Sequence, residues 1–228
     1  MPCTHRPKTA VAHLSTSVRW MMLLLLMMPA LTTRAAPAVP TVGIIVDTTA
    51  DELDGSPGNG QCSLREAITN ANNDNGDQSD CPAGSGADKI KLPSGTYTLT
   101  GAPGDDSNLH GDLDIKGPLT IDGAGASTTI IQAGTNTSNG VDRVLDVFPS
   151  AITAELNRVT VRYGKAPDGV DGASDYDCNG DNGGGIYNSQ GTLILNDCIV
   201  IYNRTGDGGD GCTSGSMAYG VGGDGGGI

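Results

Sequence analysis

The sequence predicts an all-β chain wound as a right-handed parallel β-helix, a solenoid with one short α-helix capping its N-terminal end. Three observations carry that expectation. From Asp88 onward, short β-prone segments alternate with Gly, Asn and Asp, and no further helical period occurs. The segment Leu156-Asn157-Arg158-Val159-Thr160-Val161-Arg162-Tyr163 recurs as Leu195-Asn196-Asp197-Cys198-Ile199-Val200-Ile201-Tyr202, and Gly183-Gly184-Gly185-Ile186 recurs as Gly225-Gly226-Gly227-Ile228. The second repeat has a slightly longer offset than the first, which suits coils that carry loops of different length on a constant frame. Aromatic residues make up only 4% of the chain, too few for a sandwich core of this size but sufficient where stacked Ile, Val and Leu fill the coils.

Residues 1–38 read as an export signal. Arg6, Lys8 and Arg19 precede an apolar run from Trp20 to Leu31, and Ala35-Ala36-Pro37-Ala38 supplies small residues for cleavage. The run is shorter than the ~20 residues a membrane-spanning helix needs. No second apolar run follows, so no transmembrane segment is expected in the mature chain. Beyond residue 38 the chain holds 26 acidic and nine basic side chains, a formal net charge of -17. Such a surface repels nucleic acid and favours small cations as partners. The expected location is extracellular or at the cell surface.

Residues 39–87 form the expected N-terminal cap. Val42 to Val46 is a short β run. Ser63-Leu64-Arg65-Glu66 is a capping box, with Ser63 and Glu66 each reaching the other's amide. Leu64, Ala67, Ile68 and Ala71 then form one narrow apolar stripe, and Asn72 to Gly76 ends the helix. Arg65 is expected to be solvated. Five cysteines lie beyond the signal in a disulfide-permissive compartment. Cys62 with Cys81 and Cys178 with Cys212 are the expected pairs, leaving Cys198 as a small apolar residue within a strand.

Residues 88–228 are the expected coils. The chain stops inside its second Gly-Gly-Gly-Ile motif, so the sequence is expected to continue into further coils.

The hexapeptide Cys62-Ser63-Leu64-Arg65-Glu66-Ala67 resembles the CSLREA domain that begins many exported bacterial β-helix proteins. Leu119-Thr120-Ile121-Asp122-Gly123-Ala124-Gly125 is similar to the first coils of pectate-lyase-like β-helices. Gly184-Gly185-Ile186 and Val200-Ile201-Tyr202-Asn203 are similar to the repeats of polymorphic outer-membrane proteins. The resemblance implies an exported surface protein and no particular reaction.

The candidate chemistry is sparse. Strand alternation places Val159, Val161 and Tyr163 inward and Arg158, Thr160 and Arg162 on one outer face. In pectate-lyase-like enzymes an outward arginine can act as base or hold a uronate, which makes Arg158 and Arg162 the weak catalytic candidates. Asp175, Asp177, Asn179 and Asp181 are the candidate calcium ligands. Asp175-x-Asp177-x-Asn179-Gly180 matches the opening of a calcium loop, although Ile186 stands where a closing Glu belongs. The expected function is structural or adhesive, toward an extracellular polysaccharide or a host or neighbouring cell surface, with no catalytic activity of its own. The alternative is a pectate-lyase-like polysaccharide lyase or glycoside hydrolase, against which the absence of Trp beyond residue 20 counts.

Overall fold

The computed structural model describes residues 43–148, 151–172, 175–212 and 221–228, with the backbone alone at 175 and 176. The expected signal, residues 1–38, lies outside them. Among the described residues no helix is long and apolar enough to cross a membrane.

Among the described residues, twelve short strands wind as a parallel β-solenoid of about three turns. The first sheet stacks β1 (Ile44–Ile45), β2 (Asp88–Leu92), β5 (Leu119–Gly123), β8 (Thr153–Asn157) and β11 (Thr192–Asn196). The second stacks β3 (Gly95–Thr98), β6 (Thr129–Gln132), β9 (Thr160–Arg162) and β12 (Ile199–Ile201). The third stacks β4 (Leu113–Ile115), β7 (Leu145–Val147) and β10 (Ile186–Asn188). Every pairing is parallel.

The register explains the core. Ile44, Ile90, Ile121, Leu156 and Leu195 occupy one ladder of the first sheet. Tyr97, Ile131, Val161 and Val200 do the same in the second, and Leu113, Leu145 and Ile186 in the third. Most of these side chains are fully buried, while Leu195 and Val200 in the last coil are half-buried. Each fully buried aliphatic contributes roughly 1.5 to 3 kcal/mol.

The recurring octapeptide holds the end of β8, a corner, all of β9 and a second corner, not one strand. Arg158 and Tyr163, with φ of 56° and 59°, adopt the left-handed conformation, as do Asp197 and Tyr202 at 53° and 60°. Each left-handed residue breaks the in–out alternation that a continuous strand would keep. Val159 and Val161 point inward as expected, but Thr160 is buried beneath a loop and donates to the Ala126 carbonyl at 2.6 Å. Tyr163 is not inward. It stacks on Tyr202 of the next coil, with ring centroids 5.8 Å apart.

Helix α1 (Leu64–Asn73) carries the expected capping box, and Asp74 closes it in the left-handed conformation. Its apolar stripe of Leu64, Ala67, Ile68 and Ala71 joins the same core as the first coil. The Cys62–Cys81 and Cys178–Cys212 disulfides both form, and Cys198 is a half-buried free thiol.

Candidate functional site

Arg65 is buried, not solvated. Its guanidinium forms a two-pronged ion pair with Asp51, at 2.7 and 3.1 Å. It also donates to the carbonyls of Gly111 and Asp112, each at 2.8 Å, which ties the cap helix to the first coil. A planar fork with five donors suits this clamp, and a lysine would not reproduce it.

The same segment opens an acidic cleft. Because β4 and β7 pair in register, Asp114 lies beside Asp146, with Tyr187 next along the ladder. Leu113, Ile115, Leu145 and Val147 take the core side, which directs both aspartates to the outer face. A loop over residues 99–112 then covers Asp114. There Asn108 donates its amide to Asp114 Oδ2 at 2.6 Å and accepts the Asp114 amide in return at 3.2 Å. Asn108 also donates to Arg65 O and to Thr69 Oγ1, both at 2.9 Å, so the clamp and the cleft share a wall.

A cavity of about 400 Å³ opens beside this ladder, lined in part by Asp106, Arg143, Asp146, Phe148, Asp181 and Tyr187. Arg143 faces three carboxylates, with Asp181 at 3.3 Å and Asp112 and Asp146 at 3.8 Å. Its guanidinium also lies 5.2 Å from the Tyr187 ring centre. Burial dominates the acidity of the group. It raises Asp112 to about 8, with Asp142 and Asp114 adding repulsion and Arg143 opposing. It likewise raises Asp114 to about 7 and Asp146 to about 6. Asp142 is raised too, although the Gly104 and Arg143 amides it accepts work against the shift.

The carboxylates of Asp106, Asp114 and Asp146 each place an oxygen within 4.8 Å of the other two. A second triad that meets the same 4.8 Å limit, Asp54, Glu66 and Asp80, lies in the N-terminal cap. These are the two such triads found among the described residues.

The candidates drawn from the sequence are distributed differently. Arg158 and Arg162 are each bonded to the preceding coil. Arg158 reaches back one coil to the Gly123 carbonyl at 3.0 Å and to the Asp122 carboxylate. Arg162 donates to Gln132 Oε1 at 2.8 Å. Both arginines are therefore engaged in coil-to-coil bonds. Of the calcium-loop candidates, the Asp175 side chain lies outside the described residues. Asp177 is exposed in a 3₁₀ turn (Asp175–Cys178), Asn179 Oδ1 accepts the Val221 amide at 2.9 Å, and Asp181 turns toward Arg143.

Sequence reasoning missed Asp106, Asp112, Asp114, Asp142, Arg143 and Asp146. One signal was available. Leu113-Asp114-Ile115 and Leu145-Asp146-Val147 each set an acid between two aliphatics, one coil apart, the signature of aligned carboxylates on neighbouring coils. Comparison with family models, curated proteins and solved structures returns no match for this chain.

Proposed function

We propose that this chain serves as an exported structural or adhesive β-solenoid, a rigid frame that presents acidic, Gly-rich loops to an extracellular polysaccharide or a cell surface. The observation that supports the reading is the employment of its arginines. Arg65, Arg158 and Arg162 are each held in bonds between neighbouring segments of the stack, and Arg143 faces three carboxylates. A lyase needs a base or a uronate-binding cation free to meet substrate, and Arg65, Arg158 and Arg162 are engaged within the frame. The likeness of Cys62 to Ala67 to the CSLREA hexapeptide agrees with an exported surface protein.

One observation favours the alternative, a polysaccharide hydrolase. Burial raises Asp112 to about 8 and Asp114 to about 7, the direction a general acid requires. Their residues are, however, only 2% and 0% exposed, out of reach of a glycosidic oxygen. The test is incubation of the full chain with uronide and neutral polysaccharides, following new reducing ends and unsaturated uronide absorbance, alongside a pull-down on the same insoluble polymers. Retention without turnover supports the scaffold. Turnover that disappears in Asp146→Asn would replace it with an enzyme.

A further inference from the structure

We propose that Asp106, Asp114 and Asp146 bind one hard divalent cation of the calcium class at the head of the third-sheet cleft. Three independent features of the structure converge on that site. The first is spacing. Calcium holds oxygens at about 2.3–2.6 Å, so two ligands on opposite sides of one ion stand roughly 5 Å apart. The triad, with all three oxygens within 4.8 Å, fits that envelope.

The second feature is unmet hydrogen-bonding capacity. Asp114 Oδ1 and Asp146 Oδ1 are buried and accept no hydrogen bond, although their residues are only 0% and 6% exposed. Buried carboxylate oxygens are costly to leave without partners. A cation coordinated by both residues removes that cost, with Asp106 closing from the loop and water from the cavity completing the shell.

The third feature is a crowding of carboxyl groups whose mutual repulsion a cation would relieve. Asp105, Asp112, Asp142 and Asp181 surround the triad within the same cleft and loop, and Arg143 and Lys116 are the cations that face it. Neither satisfies the group. Arg143 stands 3.8 Å from both Asp112 and Asp146, and its own Nε is buried without a partner. Lys116 donates to the Asp106 carbonyl and lies over the Phe148 ring. The donors are all oxygens, which selects a hard ion, and the ligand on an exposed loop suits the looser geometry of calcium better than the strict octahedron of magnesium.

The site differs from the Asp175–Asp181 loop and does not depend on the adhesive reading. Thermal melts of the full chain by far-UV circular dichroism, in chelator and in CaCl₂, test it. The midpoint should rise by about 5 to 10 °C at a hundredfold excess over the dissociation constant. Asp106→Asn, on the exposed loop, should keep the native spectrum and lose the rise, as should Asp146→Asn. Asp80→Asn and Asp177→Asn should retain it. Terbium(III) luminescence excited through tyrosine supplies a second readout, because Tyr187 lines the cleft; it should fall in Asp106→Asn. A midpoint indifferent to calcium would overturn the proposal. So would a rise that survives Asp106→Asn and Asp146→Asn, and one lost only in Asp177→Asn would move the ion to the other loop.

Discussion

Two triads of carboxylates solve the same electrostatic problem differently. In the cap, Glu66 Oε2 accepts the Ser63 amide at 3.0 Å and Oε1 the Asp54 amide at 3.4 Å. Asp54 accepts the Asn59 amide at 3.1 Å, and Asp80 the Gly60 amide at 2.8 Å. Backbone amides answer the charge there, because a capped helix and tight loops offer donors that have no other partner. On the third sheet Asp114 Oδ2 takes the Asn108 amide, but Asp114 Oδ1 and Asp146 Oδ1 are buried without a donor. Proximity of acids is therefore a poor guide to a ligand site. What distinguishes the two triads is whether buried carboxylate oxygens are left without a donor.

The largest expected effect lies on the cap side, where the satisfaction is internal. Arg65→Ala strands Asp51 as a buried charge and cuts the links to Gly111 and Asp112, and it should destabilise the chain by about 3 to 5 kcal/mol in urea denaturation. Ser63→Ala removes one cap and should cost about 1 kcal/mol by the same measurement, with or without calcium. On the third sheet the sign should reverse. In chelator, Asp114→Asn removes a buried carboxyl crowded against Asp112 and Asp146, and should stabilise the protein by about 1 kcal/mol. In saturating CaCl₂ the wild-type chain should become the more stable of the two, so the order crosses. An order that never crosses would erase the distinction between the triads.

The smallest effect is a pH slope. Burial, opposed in part by the Ser63 amide, holds Glu66 above the ordinary carboxylate range. The folded chain thus keeps a proton that the unfolded chain has released. The resulting stability is complete below the unfolded pKa and is lost as pH rises through the folded one. Glu66→Gln preserves the capping box, since glutamine can also accept the Ser63 amide. Free energies of unfolding measured across that interval should show a shallower decline in Glu66→Gln than in wild type.

Much of the frame was legible because its signals are local. The Ser63–Glu66 capping box, the stripe on α1 and the two disulfides follow from short spacings. The octapeptide repeat was visible because both copies carry the same left-handed corners, at Arg158 and Tyr163 and at Asp197 and Tyr202. Earlier coils escaped notice. The register sets Ile90 against Ile121 and Ile121 against Leu156, so the spacing changes from one coil to the next. Those coils share only an aliphatic position, not a motif. The burial of Arg65 was hidden for a related reason, since its acceptors, Gly111 and Asp112, are backbone carbonyls far along the chain, and a carbonyl leaves no mark in a sequence. Alternation failed at Tyr163 because a left-handed residue resets the faces, and Thr160 is buried on the outer side because the loop at Ala126 covers it. The acidic cleft joins residues from three coils, and its composition resembles that of any other Asp-rich loop in this chain.

Isothermal titration of CaCl₂ into the metal-free full chain, into Asp80→Asn and into Asp146→Asn bears most directly on the contrast between the triads. One binding event in wild type, unchanged in Asp80→Asn and absent in Asp146→Asn, is the predicted result. Equal binding by wild type and Asp146→Asn, or loss in Asp80→Asn alone, would contradict it.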